Sequence, residues 1–160
     1  MKMNVSIALR AAIVLAAALP LAARAGEMVE AKQLRQNLYG TCFVTEDEGW
    51  AVGDLGRIFH TINGGLQWEI QDSGTKRPFV SIDCIDNKTL YAAGQAGQIS
   101  KTTDGGKTWK ALKTGTDRQL LDIAFADANR GIVVGDYGRM YRTEDGTWLM
   151  TSGVELTGEL

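Results

Sequence analysis

Thr102-Thr103-Asp104-Gly105-Gly106-Lys107-Thr108-Trp109 is the clearest copy of a phrase that this chain writes three times. An earlier copy reads Thr61-Ile62-Asn63-Gly64-Gly65-Leu66-Gln67-Trp68, and a shortened one ends in Asp145-Gly146-Thr147-Trp148. Trp68 and Trp109 lie 41 residues apart, as do Gly53 and Gly94, Gly94 and Gly135, and Thr102 and Thr143. One spacing shared by four anchors defines a repeat architecture, in which a supersecondary unit stacks on the next.

Within a repeat, apolar residues alternate in short bursts, the period of strands and not of helices. In the second unit the bursts run through Val80, Ile82 and Cys84, then Leu90 to Ala93, Gln98 to Thr102, and Trp109 to Leu112. Between them stand Asp86-Asn87-Lys88, Gly94-Gln95-Ala96-Gly97 and Asp104-Gly105-Gly106, residues that accept positive φ or bond their own backbone. Four strands and three tight turns in about forty residues make one antiparallel propeller blade. The expected fold is all-β, with three four-stranded sheets at 38–78, 79–119 and 120–160, preceded by a linker over 26–37. Gly53-Asp54-Leu55-Gly56, Gly94-Gln95-Ala96-Gly97 and Gly135-Asp136-Tyr137-Gly138 are expected to form hairpins that need an unusual dihedral at each glycine.

Thr-x-Asp-x-Gly-x-Thr-Trp is the Asp-box, and the repeats resemble those of bacterial neuraminidase-type propellers. The longer phrase from Gly49 to Trp68, Gly-Trp-Ala-Val-Gly-x-x-Gly-x-Ile-x-x-Thr-x-x-Gly-Gly-x-x-Trp, is similar to the photosystem II stability and assembly factor family. The resemblance runs from Leu38 to about Gly153. It implies relatives that are exported seven-bladed propellers and a chaperone-like, non-catalytic scaffold. The implied partner is a photosystem II reaction-centre protein; in a non-photosynthetic organism it is another envelope complex.

The first 25 residues read as a secretory signal: Lys2 and Arg10 precede an apolar run from Ala11 to Ala22 that closes on Ala23-Arg24-Ala25. That run is too short for a spanning helix, which needs about 20 residues. The expected location is outside the cytoplasm, in the periplasm or a thylakoid lumen. Removing Lys2, Arg10 and Arg24 from 17 basic residues leaves 14 against 19 acidic ones, a formal charge of −5, so no basic footprint for nucleic acid remains. Cys42 and Cys84 fall on opposite faces of equivalent strands. They either confront each other across a blade interface or point apart, so sequence leaves their disulfide open.

The Asp-box residues are read as structural: Thr61, Asn63, Gly65 and Trp68 in the first unit, Thr102, Asp104, Gly106, Thr108 and Trp109 in the second, Asp145 and Trp148 in the third. Asn replaces Asp in a turn but not as a general acid. A sialidase-like hydrolase or glycan-binding module is the alternative class, yet the Arg-Ile-Pro element and the Arg, Tyr and Glu set of sialidases find no match, and Asp-boxes specify a blade, not a reaction. His60 takes the position of Lys101 and Arg142, a solvated strand site. No catalytic residue, metal or cofactor is expected. Arg57 and Arg139, beside Asp54 and Asp136, are expected to form similar charged pairs on one rim and to offer a partner-docking patch.

Three units fall short of a closed ring, which takes about four to eight. Either the chain is a truncated relative of a longer propeller, or two copies associate through open blade faces. Truncation is the preferred expectation, because the third Asp-box is eroded.

Overall fold

A computed structural model describes residues 26, 28–31, 34–145 and 147–152. The signal segment therefore lies outside the described residues. The strands are β1 (Met28–Glu30), β2 (Leu38–Phe43), β3 (Gly49–Gly53), β4 (Ile58–Thr61), β5 (Gln67–Gln71), β6 (Phe79–Cys84), β7 (Leu90–Gly94), β8 (Ile99–Thr102), β9 (Lys110–Leu112), β10 (Leu120–Phe125), β11 (Gly131–Gly135), β12 (Arg139–Thr143) and β13 (Leu149–Ser152). They form three antiparallel sheets in up-and-down order, β2 to β5, β6 to β9 and β10 to β13. These are the three expected blades, with β2, β6 and β10 side by side along the inner edge.

One addition was not expected. Within the segment read as a linker, Met28–Glu30 pairs antiparallel with the outer strand of the first blade, Val29 opposite Trp68, so that sheet has five strands. The free face of this blade buries Phe59, Trp68 and Ile70, with Val29 and Leu34 packed over them.

The repeat extends to irregularities. Each inner strand carries a bulge at the same point, between Leu38 and Gly40, Phe79 and Ser81, and Leu120 and Asp122. A bulge sharpens local twist, which helps sheets of one sequence pattern stack as blades. Two seams hold the stack. Trp50, Val52 and Ile58 of the first blade meet Phe79, Ile82 and Ala92 of the second; Tyr91, Ala93 and Ile99 of the second meet Leu120, Ile123 and Val133 of the third. Position by position these are the same contacts advanced by one repeat, and their burial supplies the main driving force for stacking.

Cys42 of β2 and Cys84 of β6 form a disulfide across the first seam, with Cα atoms 5.9 Å apart. The stacking sense thus brings the two faces together. On the third blade, Ile132 and Met140 occupy the positions of Trp50 and Tyr91 and of Ile58 and Ile99, and are 44% and 39% exposed.

Candidate docking surface

The Asp-boxes close on themselves. In the second blade Thr102 Oγ1 donates to Asp104 Oδ1 (2.7 Å) and accepts from Gly106 N (2.9 Å), while Thr108 donates through its amide to Oδ1 (2.9 Å) and through its hydroxyl to Oδ2 (2.6 Å). These donors, the Thr108 hydroxyl foremost, pull the Asp104 carboxyl down to about 2. Asn63 does the same work in the first blade: its Oδ1 accepts from Gln67 N and the Thr61 hydroxyl, both at 3.0 Å. A carboxylate whose lone pairs are taken by its own turn holds no proton to give. Trp68 Nε1 donates to Gly65 O (2.9 Å), whereas Trp109 Nε1 reaches back to Gln71 Oε1 of the preceding blade (3.3 Å). In the third box Asp145 Oδ1 accepts from Thr147 N, and Trp148 is buried with its Nε1 unpartnered among the described residues.

The opposite side of the blades is built from the Gly-x-x-Gly turns and the connections between blades. Each turn positions a carbonyl: Arg57 N donates to Asp54 O (3.1 Å) and Gln98 N to Gln95 O (3.2 Å). The central residues Leu55, Ala96 and Tyr137 have φ of 58°, 54° and 59°, and Gly56, Gly97 and Gly138 follow at φ 68°, 69° and 68°, the type I′ arrangement. This corrects the expectation of an unusual dihedral at each glycine. Gly53 and Gly94 are extended, with φ of −170° and −173°. They are glycine because a Cβ there would collide with the Asn37 or Pro78 carbonyl, which accepts from the next amide in the turn.

Between blades the chain repeats a second phrase, Ser73-Gly74-Thr75-Lys76-Arg77 and Thr114-Gly115-Thr116-Asp117-Arg118. Ser73 Oγ donates to Gly56 O (2.6 Å) and Thr114 Oγ1 to Gly97 O (2.7 Å), tying each connection to its blade's turn. Thr75 Oγ1 accepts from Arg77 N and Thr116 Oγ1 from Arg118 N, both at 3.1 Å, so each arginine leaves a fixed loop in the same direction of chain. Together with Arg139 these loops line an open groove of about 940 Å³ at the second seam. Its charged lining is Arg77, Lys113, Arg118 and Arg139 against Asp117 alone, on a chain whose formal charge is −2.

Of the two charged pairs expected on this rim, the one at Arg139 is not what its side chain forms. Asp54 accepts from Asn37 Nδ2 (2.9 Å) and the Tyr39 hydroxyl (2.8 Å), and the latter bond pushes the Tyr39 phenol up. Arg139 turns from Asp136 toward Met150, its Nη1 3.7 Å from the sulfur. An exposed carboxylate three residues away gains little by pairing with Arg139. Arg57 and Arg139 occupy equivalent places in the first and third blades; of the two, Arg139 lines the groove. Arg77 and Arg118 were missed in the sequence reading, although their spacing of 41 residues within a repeated Ser/Thr-Gly-Thr-x-Arg phrase was a signal to be found.

His60 is also not a solvated site. It is half-buried, stacked on Trp50 with ring centroids 4.4 Å apart, and its Nε2 lies 3.3 Å from Glu48 Oε1. Lys101 repeats the placement over Tyr91, at 4.9 Å from the ring centroid. Among the described residues no group of His, Cys, Asp and Glu gathers as a metal site, and no helix is long and apolar enough to cross a membrane.

Three stacked Asp-box sheets with their loops gathered into a cationic groove define a segment of a β-propeller. The chain belongs to the family described as photosynthesis system II assembly factor YCF48, whose model matches residues 22–116, more than half of the chain. Its fold is similar to that of YCF48 bound to D1 peptide, with TM-score 0.67 and 21% identity over 81% of this chain and 44% of that one. It is similar likewise to YCF48 from Cyanidioschyzon merolae, with TM-score 0.63 and 24% identity over 79% and 40% of the two chains. A GH74 enzyme of Niastella koreensis has TM-score 0.58 and 19% identity, covering 70% of this chain and 21% of the enzyme. A search of curated proteins finds no match. The chain thus spans less than half the length of the solved YCF48 structures.

Proposed function

We propose that the chain is a non-catalytic scaffold for photosystem II assembly, which holds an exposed segment of a reaction-centre protein on the side of the blades that carries the Gly-x-x-Gly turns. The observation that carries the reading is the groove at the second seam, where Arg77 and Arg118 stand on loops tied to the blades by hydroxyl-to-carbonyl bonds and Arg139 joins them from the start of β12. Rigid loops presenting guanidinium groups bind peptide carboxylates and carbonyls with little ordering cost. Membership of the YCF48 family and the D1 peptide in one related structure support the choice of partner. Export belongs to the same proposal: the leader over residues 1–25 and the disulfide both suit an oxidising compartment, the periplasm or a thylakoid lumen. A glycan-active role has behind it the distant fold likeness to a GH74 enzyme, and fold alone does not carry activity.

Titration of the exported chain against labelled D1 peptides by fluorescence anisotropy tests the reading. Binding is expected to weaken on charge reversal at Arg57 and Arg139, and more at Arg139, and to fall with added salt. D1 peptides that bind neither the parent chain nor a variant, or binding that ignores both reversals, would refute it.

A further inference from the structure

The tip of the third Gly-x-x-Gly turn is the least economical place for a tyrosine. Tyr137 sits at φ 59°, ψ 35°, a left-handed conformation that favours Gly or Asn and is uncommon for an aromatic residue. In a type I′ turn followed by Gly138, Asn is the ordinary occupant, since Asn-Gly is the preferred pair. The ring is 85% exposed, so it contributes no core burial that would offset the strain. Among the described residues its ring is met by Arg118, whose guanidinium carbon lies 5.5 Å from the ring centroid. Arg118 is itself a groove-lining residue, and Arg139, two positions after Tyr137, is another. The equivalent tips carry Leu55, 57% exposed, and the small Ala96 beside the groove. A bulky apolar tip is therefore displayed on either side of a small one, and the largest stands against Arg118 of the groove.

Strain kept at an exposed position points to a contact made with something else. We infer that Tyr137 is an aromatic anchor for an extended peptide in which an apolar side chain adjoins a carboxylate. The carboxylate answers the surplus of Arg77, Lys113, Arg118 and Arg139 over Asp117. The apolar neighbour covers the free face of the ring, while Arg118 on the ring completes a cation-π pair that strengthens as water is excluded. This rests on the proposed docking side and adds to it the sequence character of the segment that fits.

The test uses the whole exported chain and three labelled nonapeptides, one alternating Glu and Leu, one alternating Glu and Ser, one alternating Lys and Leu. The Glu-Leu peptide is expected to bind best and the Lys-Leu peptide worst. Tyr137→Asn should leave the melting temperature equal or higher, because it restores the favoured turn pair. It should also weaken the Glu-Leu peptide about tenfold, the scale of an aromatic anchor, with about twofold or less change for Glu-Ser. Tyr137→Phe should retain the Glu-Leu affinity. The inference is overturned by Glu-Leu binding that survives Tyr137→Asn, by absence of Glu-Leu binding to the parent chain, or by a melting temperature that drops by several degrees, which would make Tyr137 a structural residue. The docking reading fails separately: a chain that shows the Tyr137 dependence with Glu-Leu peptide but ignores D1 peptides keeps the anchor and loses the partner.

Discussion

The two seams use the same positions for different chemistry. At the first, Cys42 and Cys84 are joined covalently. One repeat later the same two places hold Asp83 and Phe125, and the link is a hydrogen bond, Phe125 N donating to Asp83 Oδ2 at 2.6 Å. Around it Tyr91 stacks on Phe125 with centroids 3.7 Å apart and its hydroxyl donates to Ala128 O (2.8 Å), where the first seam has Trp50 under His60. The stacking geometry is thus set by strand pattern and apolar burial, and the crosslink is one of several ways to finish it. The groove with its arginines opens at the seam that has no crosslink.

Breaking the crosslink should have the largest effect. Cys42 and Cys84 are 42 residues apart, and in the chain-entropy picture closing such a loop stabilises by about 4 kcal/mol. Cys42→Ser with Cys84→Ser, or reduction of the parent chain, should lower the urea midpoint correspondingly; a midpoint that ignores reductant would show that the first seam is held by packing alone. Asp83→Ala attacks the matching place in the second seam. It leaves the Phe125 amide without its charged acceptor, and unfolding should become easier by about 2 kcal/mol. Tyr91→Phe removes only the hydroxyl bond to Ala128 and keeps the stack, so about 1 kcal/mol is the expected loss in the same assay.

The smallest expected change separates the Asp-boxes. Asp104 titrates near 2 in the folded chain against 3.8 for the free side chain, because Thr108 and Thr102 donate to it. Its contribution is therefore complete above the unfolded value and is lost as pH falls from about 3.8 toward 2. Asn63 in the first blade makes the matching turn bonds without titrating. Acid unfolding followed by circular dichroism should show a shallower dependence over that window for Asp104→Asn; an unchanged slope would mean that the folded carboxyl is not held low.

Most of the fold was legible because the period was. Gly53, Gly94 and Gly135 with Thr61, Thr102 and Thr143 fix the turns, and alternation between them fixes the strands. Three things were not. Cys42 and Cys84 could be placed on opposite faces, but which faces meet depends on stacking sense, a tertiary property. Met28–Glu30 is too short to announce itself, and it is a strand because Trp68 and Ile70 offer an edge and an apolar face. The docking surface was half visible: Arg139 was singled out with a carboxylate partner that geometry denies it. Arg77 and Arg118 escaped because their loops look like plain polar connectors until Ser73 and Thr114 are seen bonded to the turns.

The central claim is that the partner lies on the turn side of the second seam. Hydrogen exchange of the chain with and without D1 peptide measures this directly. Slowed exchange is predicted over 74–77, 114–118 and 137–139, with 62–66 and 103–107 on the Asp-box side unchanged. Protection centred on the Asp-box turns, or none anywhere, would contradict it.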